Sequence, residues 1–164
     1  MTKMTAEEAH IAARELEQAA AAILGRMLFE FSRLDVALGM LLVWADEGRQ
    51  LEELTNKVVD YTFHKKLDFL AELADEKFKK GSNPHIMYSQ WLAKAHSART
   101  IRNQLVHGRW CVNAYQQQII NVIGLPASLD QREVGYSLGT LEDVLSDINY
   151  LQVELQKQRK QWPV

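Results

Sequence analysis

The stretch Ile101 to Trp110, IRNQLVHGRW, sets Arg102, Asn103 and His107 close together and breaks at Gly108. The Arg102 guanidinium offers a rigid fork of N–H donors that fits a phosphate or a carboxylate. The His107 imidazole gives or takes a proton near neutral pH. The Asn103 carboxamide can orient either group. Together these suffice to cleave an RNA phosphodiester without a metal, the 2′-hydroxyl acting as internal nucleophile. They equally suffice to hold a phosphate and do nothing more.

Projected on a helix at about 100° per residue, Trp91, Ala95, Ala98, Leu105 and Val106 share an apolar face, and Arg102 falls in its middle. Asn103, His96 and His107 gather roughly 100–140° away, with Arg99 between the two groups. Asn103 and His107, four apart, are surface neighbours. A structural reading competes with the chemical one. An arginine on an apolar face keeps its charge and needs a carboxylate. Asp35, on the apolar stripe of an earlier helix, is the obvious partner. His107 is then an ordinary helix-terminal histidine, favoured by the helix dipole. If the helix ends at Gly108, the long Arg102 side chain can instead reach the same cleft as His107.

The elements that must position these residues read as mainly α. A first helix over 5–24 opens with a capping box from Thr5 to Glu8. A second, over 26–46, carries Leu28, Phe31, Leu34, Leu38, Leu41, Leu42 and Ala45 at helical spacing. Gly25 either separates these two or is a tolerated interruption. The far side of the second helix carries Val36, Met40 and Val43, so it needs a second apolar partner, such as another subunit. The charged segment around Gly48 reads as a connection. A third helix runs over 55–80, starting at Thr55 or Thr62, with Phe63, Leu67, Leu70, Ala74 and Phe78 on one face and Gly81 as its cap. A fourth covers 85–107. Alternation then predicts a hairpin over 109–124 and a third strand over 133–138. A last helix covers 141–158, capped by Thr140 with Asp143, and its basic tail KQRKQW is expected to fray. The expected result is a single domain over 1–164, a four- to five-helix bundle with a small antiparallel sheet inserted before the last helix.

Within this helical context Arg102 to His107 reads R-N-x-x-x-H. It resembles the R-x(4–6)-H motif of the HEPN superfamily, whose motif arginine is often followed by a polar residue such as asparagine. The resemblance covers about 25–110 and the last helix; the hairpin is an elaboration. It implies a homodimer with the two motifs facing one another, acting as a metal-independent endoribonuclease of a toxin–antitoxin or other defence system, with an antitoxin or other protein as partner. Carried over, Arg102 stabilises the phosphorane-like transition state and His107 is general base or acid. Asn103 positions the phosphate or the histidine, while Arg99 and His96 are secondary substrate-binding helpers. Other members of the superfamily lack activity and keep the fold for dimerisation or nucleotide binding.

Composition constrains the alternatives. The chain has 164 residues and a formal charge of −2, so no global basic field draws it to nucleic acid and any RNA contact rests on a local patch. Cys111 is the single cysteine, which excludes an intrachain disulfide and multi-cysteine zinc and suits a reducing, cytoplasmic setting. No segment has the roughly 18 uninterrupted apolar residues of a membrane span, and MTKMTAEEAH lacks a signal-peptide pattern. No cofactor motif is present, and the five histidines show no recognised metal-ligand spacing. His64, beside Lys65 and Lys66, reads as solvated helix surface before it reads as a basic patch. Trp91 reads as core. Trp110 and Tyr115 read as strand packing before base stacking. Cys111 reads as a packed strand residue.

Overall fold

The computed structural model describes residues 4–164; residues 1–3, the start of the segment read as lacking a signal-peptide pattern, lie outside the described residues. In chain order it forms α1 (Ala6–Val43), a 3-10 turn (Ala45–Gly48), α2 (Leu51–Val58), α3 (Phe63–Lys77) and α4 (Asn83–His107). Strands β1 (Arg109–Asn113), β2 (Gln118–Ile123) and β3 (Arg132–Tyr136) and helix α5 (Leu138–Gln161) follow. The fold is mainly α with a small antiparallel sheet ahead of the last helix, the class expected from the sequence. No helix among the described residues is long and apolar enough to cross a membrane.

Local chemistry explains the boundaries, including those that depart from expectation. The capping box at the start of α1 forms: the Glu8 N–H donates to Thr5 Oγ1 at 3.2 Å, and the Thr5 N–H to the Glu8 carboxylate at 2.7 Å. The hydrogen bond from the Thr5 backbone, followed by that from its hydroxyl, holds the Glu8 carboxyl below the usual glutamate value. The break expected between helices 5–24 and 26–46 does not occur; α1 runs for 38 residues through Gly25. One helical glycine costs about 1 kcal/mol relative to alanine, and strong helix formers flank it on both sides. Of the two starts expected for the helix ending near 80, Thr62 is the one observed, and residues before it form a separate helix, α2. Val59, Asp60, Tyr61 and Thr62 are weak helix formers, and extended Thr62 caps α3 by accepting from the Lys65 N–H at 3.3 Å. The charged segment read as a connection supplies the start of α2. Gly81 does not cap α3, which ends at Lys77; it takes φ +80° in the following turn.

At α5 the cap is Ser137 rather than Thr140 with Asp143: Ser137 Oγ accepts the Thr140 N–H at 3.0 Å, so the helix begins at Leu138. The basic tail expected to fray is helical to Gln161. Buried Gln158 donates to the Met87 carbonyl at 3.3 Å, and the Tyr88 hydroxyl donates to the Trp162 carbonyl at 2.9 Å. Burial pushes the Tyr88 phenol up to about 12.

The chain divides into two compact units. One comprises Glu30–Thr100 and Asp147–Val164 and is a helical bundle. Within it, Phe31 of α1 meets Phe63 of α3 at 4.7 Å between ring centroids, and the Trp91 indole of α4 donates to the Leu151 carbonyl of α5 at 2.9 Å. Gln152 of α5 donates to both the backbone carbonyl and the carboxylate of Glu30 on α1, each at 3.1 Å. The predicted stripes bury as expected at Phe31, Leu34, Leu38, Leu41, Leu42 and Ala45, at Phe63, Leu67, Leu70 and Ala74, and at Trp91. Phe78 is half-buried and stacks on Tyr88 at 5.8 Å.

The other unit comprises Met1–Phe29 and Ile101–Ser146. Its sheet has the order β1-β2-β3, with Trp110 opposite Asn121 and Asn121 opposite Val134. Ile119 and Asn121 are buried on the alternating face predicted for β2. Leu28, expected on the buried stripe, is 46% exposed, and its neighbour Met27 is buried instead.

Candidate functional site

The motif occupies the last two turns of α4, in the unit that holds the sheet. Arg102 and Asn103 are half-buried, and Arg102 Nη1 donates to Asn103 Oδ1 at 3.1 Å. That bond fixes the guanidinium against the carboxamide one residue along. His107 is exposed and is the final residue of α4. The residue sits one turn beyond Asn103 on the same side. Three groups capable of gripping a phosphate and moving a proton thus end one helix.

The elements around the motif explain its placement. The Gly108 N–H donates to the Gln104 carbonyl at 3.1 Å, closing the last turn, and β1 starts at the next residue. The Trp110 indole folds back to donate to the Leu105 carbonyl at 3.0 Å, and its ring lies 6.0 Å from that of Tyr136 on β3. The strand is therefore tied to the helix end by a backbone turn and an indole bond. Trp110 is strand packing, as expected, whereas Tyr115 is 71% exposed in the hairpin turn. Cys111 was expected to be packed and is exposed, because it lies on the more open face of an edge strand.

Beside the motif lies a cavity of about 220 Å³ lined by Leu24, Met27 and Leu28 of α1, by Arg102, Leu105 and Val106 of α4, and by Trp110. Arg102 is the one charged residue among those lining side chains. Its apolar stem suits such walls while its head carries the bond to Asn103.

Asn121 is a residue that sequence reasoning placed on a strand face without assigning it a role. It is fully buried, and neither of its side-chain polar atoms has a hydrogen-bond partner among the described residues. A Cβ at position 108 would overlap its carboxamide, so only glycine admits this side chain against the backbone that follows His107. The single available signal was an asparagine between two isoleucines in an alternating strand.

The remaining sequence candidates lie in the helical unit. Asp35, assigned to Arg102 in the structural reading, has a different cation: Lys66 Nζ of α3 sits 2.7 Å from its Oδ1. Lys66 was equally close in helical phase to the core, but pairing across 31 residues leaves no mark in local spacing. Arg99 is half-buried, and its Nε has no hydrogen-bond partner among the described residues. His96 is half-buried and meets His64 of α3 edge-on, with ring centroids 5.4 Å apart. Burial, then the charges of His64 and Arg99, hold His96 below the usual histidine value, with Asp68 opposing them. His64 also lies 3.6 Å from Asp68, four residues along α3. The ligand atoms of His64, Asp68 and His96 all fall within 4.8 Å of one another. His64 is thus exposed, as expected, but it belongs to a cluster the sequence reading did not find.

Comparison with protein-family models, with curated proteins and with solved structures finds no match to this chain.

Proposed function

We propose that the protein is a HEPN-like homodimeric endoribonuclease that cuts RNA without a metal, in a toxin–antitoxin or other defence role. The observation that carries this reading is the end of α4: Arg102 bonded to Asn103, with His107 exposed one turn on, before the Gly108 break. In the proposed step His107 takes the proton from a 2′-hydroxyl, whose oxygen then bonds to phosphorus. Arg102, oriented by Asn103, neutralises the charge that develops on the phosphoryl oxygens. The bond from phosphorus to the 5′-oxygen breaks, and the His107 of the second copy protonates the leaving oxygen. The products are a 2′,3′-cyclic phosphate and a 5′-hydroxyl.

One further observation supports the assembly. Of Val36, Met40 and Val43, expected on a second apolar face of α1, the first two are 60% and 48% exposed and Val43 is half-buried; Trp44, just beyond the helix, is 44% exposed. An apolar row of this kind suits a second copy or an antitoxin. A second reading is favoured by the apolar cavity around Arg102: the same dimer as a non-catalytic interaction or nucleotide-binding module, with Arg102 structural. Arg102→Ala separates the two. A catalytic arginine leaves the melting temperature near that of wild type and removes cleavage; a structural one lowers the melting temperature.

A further inference from the structure

We propose that His64, Asp68 and His96 form a binding site for a divalent transition-metal ion of the zinc class, bridging α3 and α4. Two imidazoles and one carboxylate form a donor set suited to zinc and its first-row neighbours rather than to magnesium or calcium, which prefer all-oxygen sites. Spacing comes next. His64 and Asp68 are one helical turn apart on α3, so their side chains point the same way. His96 on α4 brings its ring to 5.4 Å from that of His64, which supplies the third donor from a second helix.

Distances then decide whether one ion can reach all three. The donor atoms all lie within 4.8 Å of one another, and His64 Nε2 and Asp68 Oδ2 are 3.6 Å apart. Tetrahedral zinc with bonds near 2.1 Å needs donors about 3.4 Å apart. Small side-chain rotations close that gap, and two of the three side chains are exposed enough to make them. Without an ion, the His64 and His96 rings meet edge-on beside one carboxylate, and Arg99 places a positive charge near His96. The carboxylate of Asp68 offsets this, and a bound divalent ion would keep it as a ligand. Three protein ligands leave one position open for water or an anion. The site would tie α3 to α4 and stabilise the helical unit by mass action. It is independent of the RNA-cutting reading, which is tested in the presence of chelator.

The test uses untagged full-length protein stripped with EDTA and exchanged into chelator-free buffer. Zinc chloride is titrated in by calorimetry, and the histidine ring signals are followed by NMR. The expected result is one ion bound per chain, with the ring signals of His64 and His96 shifting together while those of His10, His85 and His107 stay in place. His64→Ala and His96→Ala should each weaken binding by at least about tenfold, and Asp68→Asn should weaken it as well. The ring signals in wild type keep the test valid if a variant fails to fold. Absence of binding, shifts confined to other histidines, or folded His64→Ala and His96→Ala variants that bind zinc like wild type would overturn the proposal.

Discussion

Gly108 and Asn121 carry a close contact that holds the end of α4 against the sheet. Any side chain at 108 would overlap the Asn121 carboxamide, which is fully buried. Gly108→Ala should therefore destabilise the protein by about 1–3 kcal/mol. In an Asn121→Ala background the same change should cost much less, because the obstructing atoms are gone. Chemical denaturation of the four proteins in the cycle measures this directly. An additive result would mean that the contact is not felt. The glycine was legible in the sequence as a helix break. Its reason was not, because it lies thirteen residues further along the chain, across a hairpin register that composition does not specify. The same limit applies to Asp35. Its place near an apolar stripe was legible, but its choice of Lys66 was set by how α1 and α3 meet. The three-residue cluster of His64, Asp68 and His96 was not read from the sequence, because its third member comes from another helix.

At the scale of elements, α1 shows local preference and packing acting together. Its length exceeds the sequence expectation because the penalty for Gly25 is small against the continuous burial of Leu34, Leu38, Leu41 and Leu42 further along. Nothing lies within 4 Å of a Cβ built at Gly25. Gly25→Ala should accordingly raise stability by about 0.4–1 kcal/mol, seen as a higher thermal midpoint with no change in helical content. A drop in the midpoint would mean that the glycine serves a bend or contact in the assembled protein. The existence and type of the long periodic helices, the hairpin and the last helix were legible because hydrophobic spacing reports them directly. Boundaries followed less visible chemistry. Thr62 and Ser137 act as caps through single hydrogen bonds, and α2 forms from a segment whose charge suggested a loop. The ordered C-terminal turn depends on Tyr88 and Met87, partners too distant in sequence for spacing to reveal.

For the whole molecule, the proposed function needs two copies. The exposed row of Val36, Met40 and Trp44 is the surface on which the dimer reading rests most directly. If the proposed dimer forms through this row, Met40→Glu combined with Val36→Glu should leave only monomer in sedimentation at micromolar concentration, while circular dichroism stays unchanged. Wild-type protein that sediments as a monomer under those conditions would contradict the composite site. The near-balanced charge of −2 means that the proposed binding of RNA would have to come from a local arrangement, specific rather than general. The most direct test of the central claim is incubation of the purified protein with total cellular RNA in EDTA, with His107→Ala alongside. The account predicts cleavage by wild type alone, with 2′,3′-cyclic phosphate ends. Equal cleavage by both proteins, or none by a folded wild-type dimer, would contradict it.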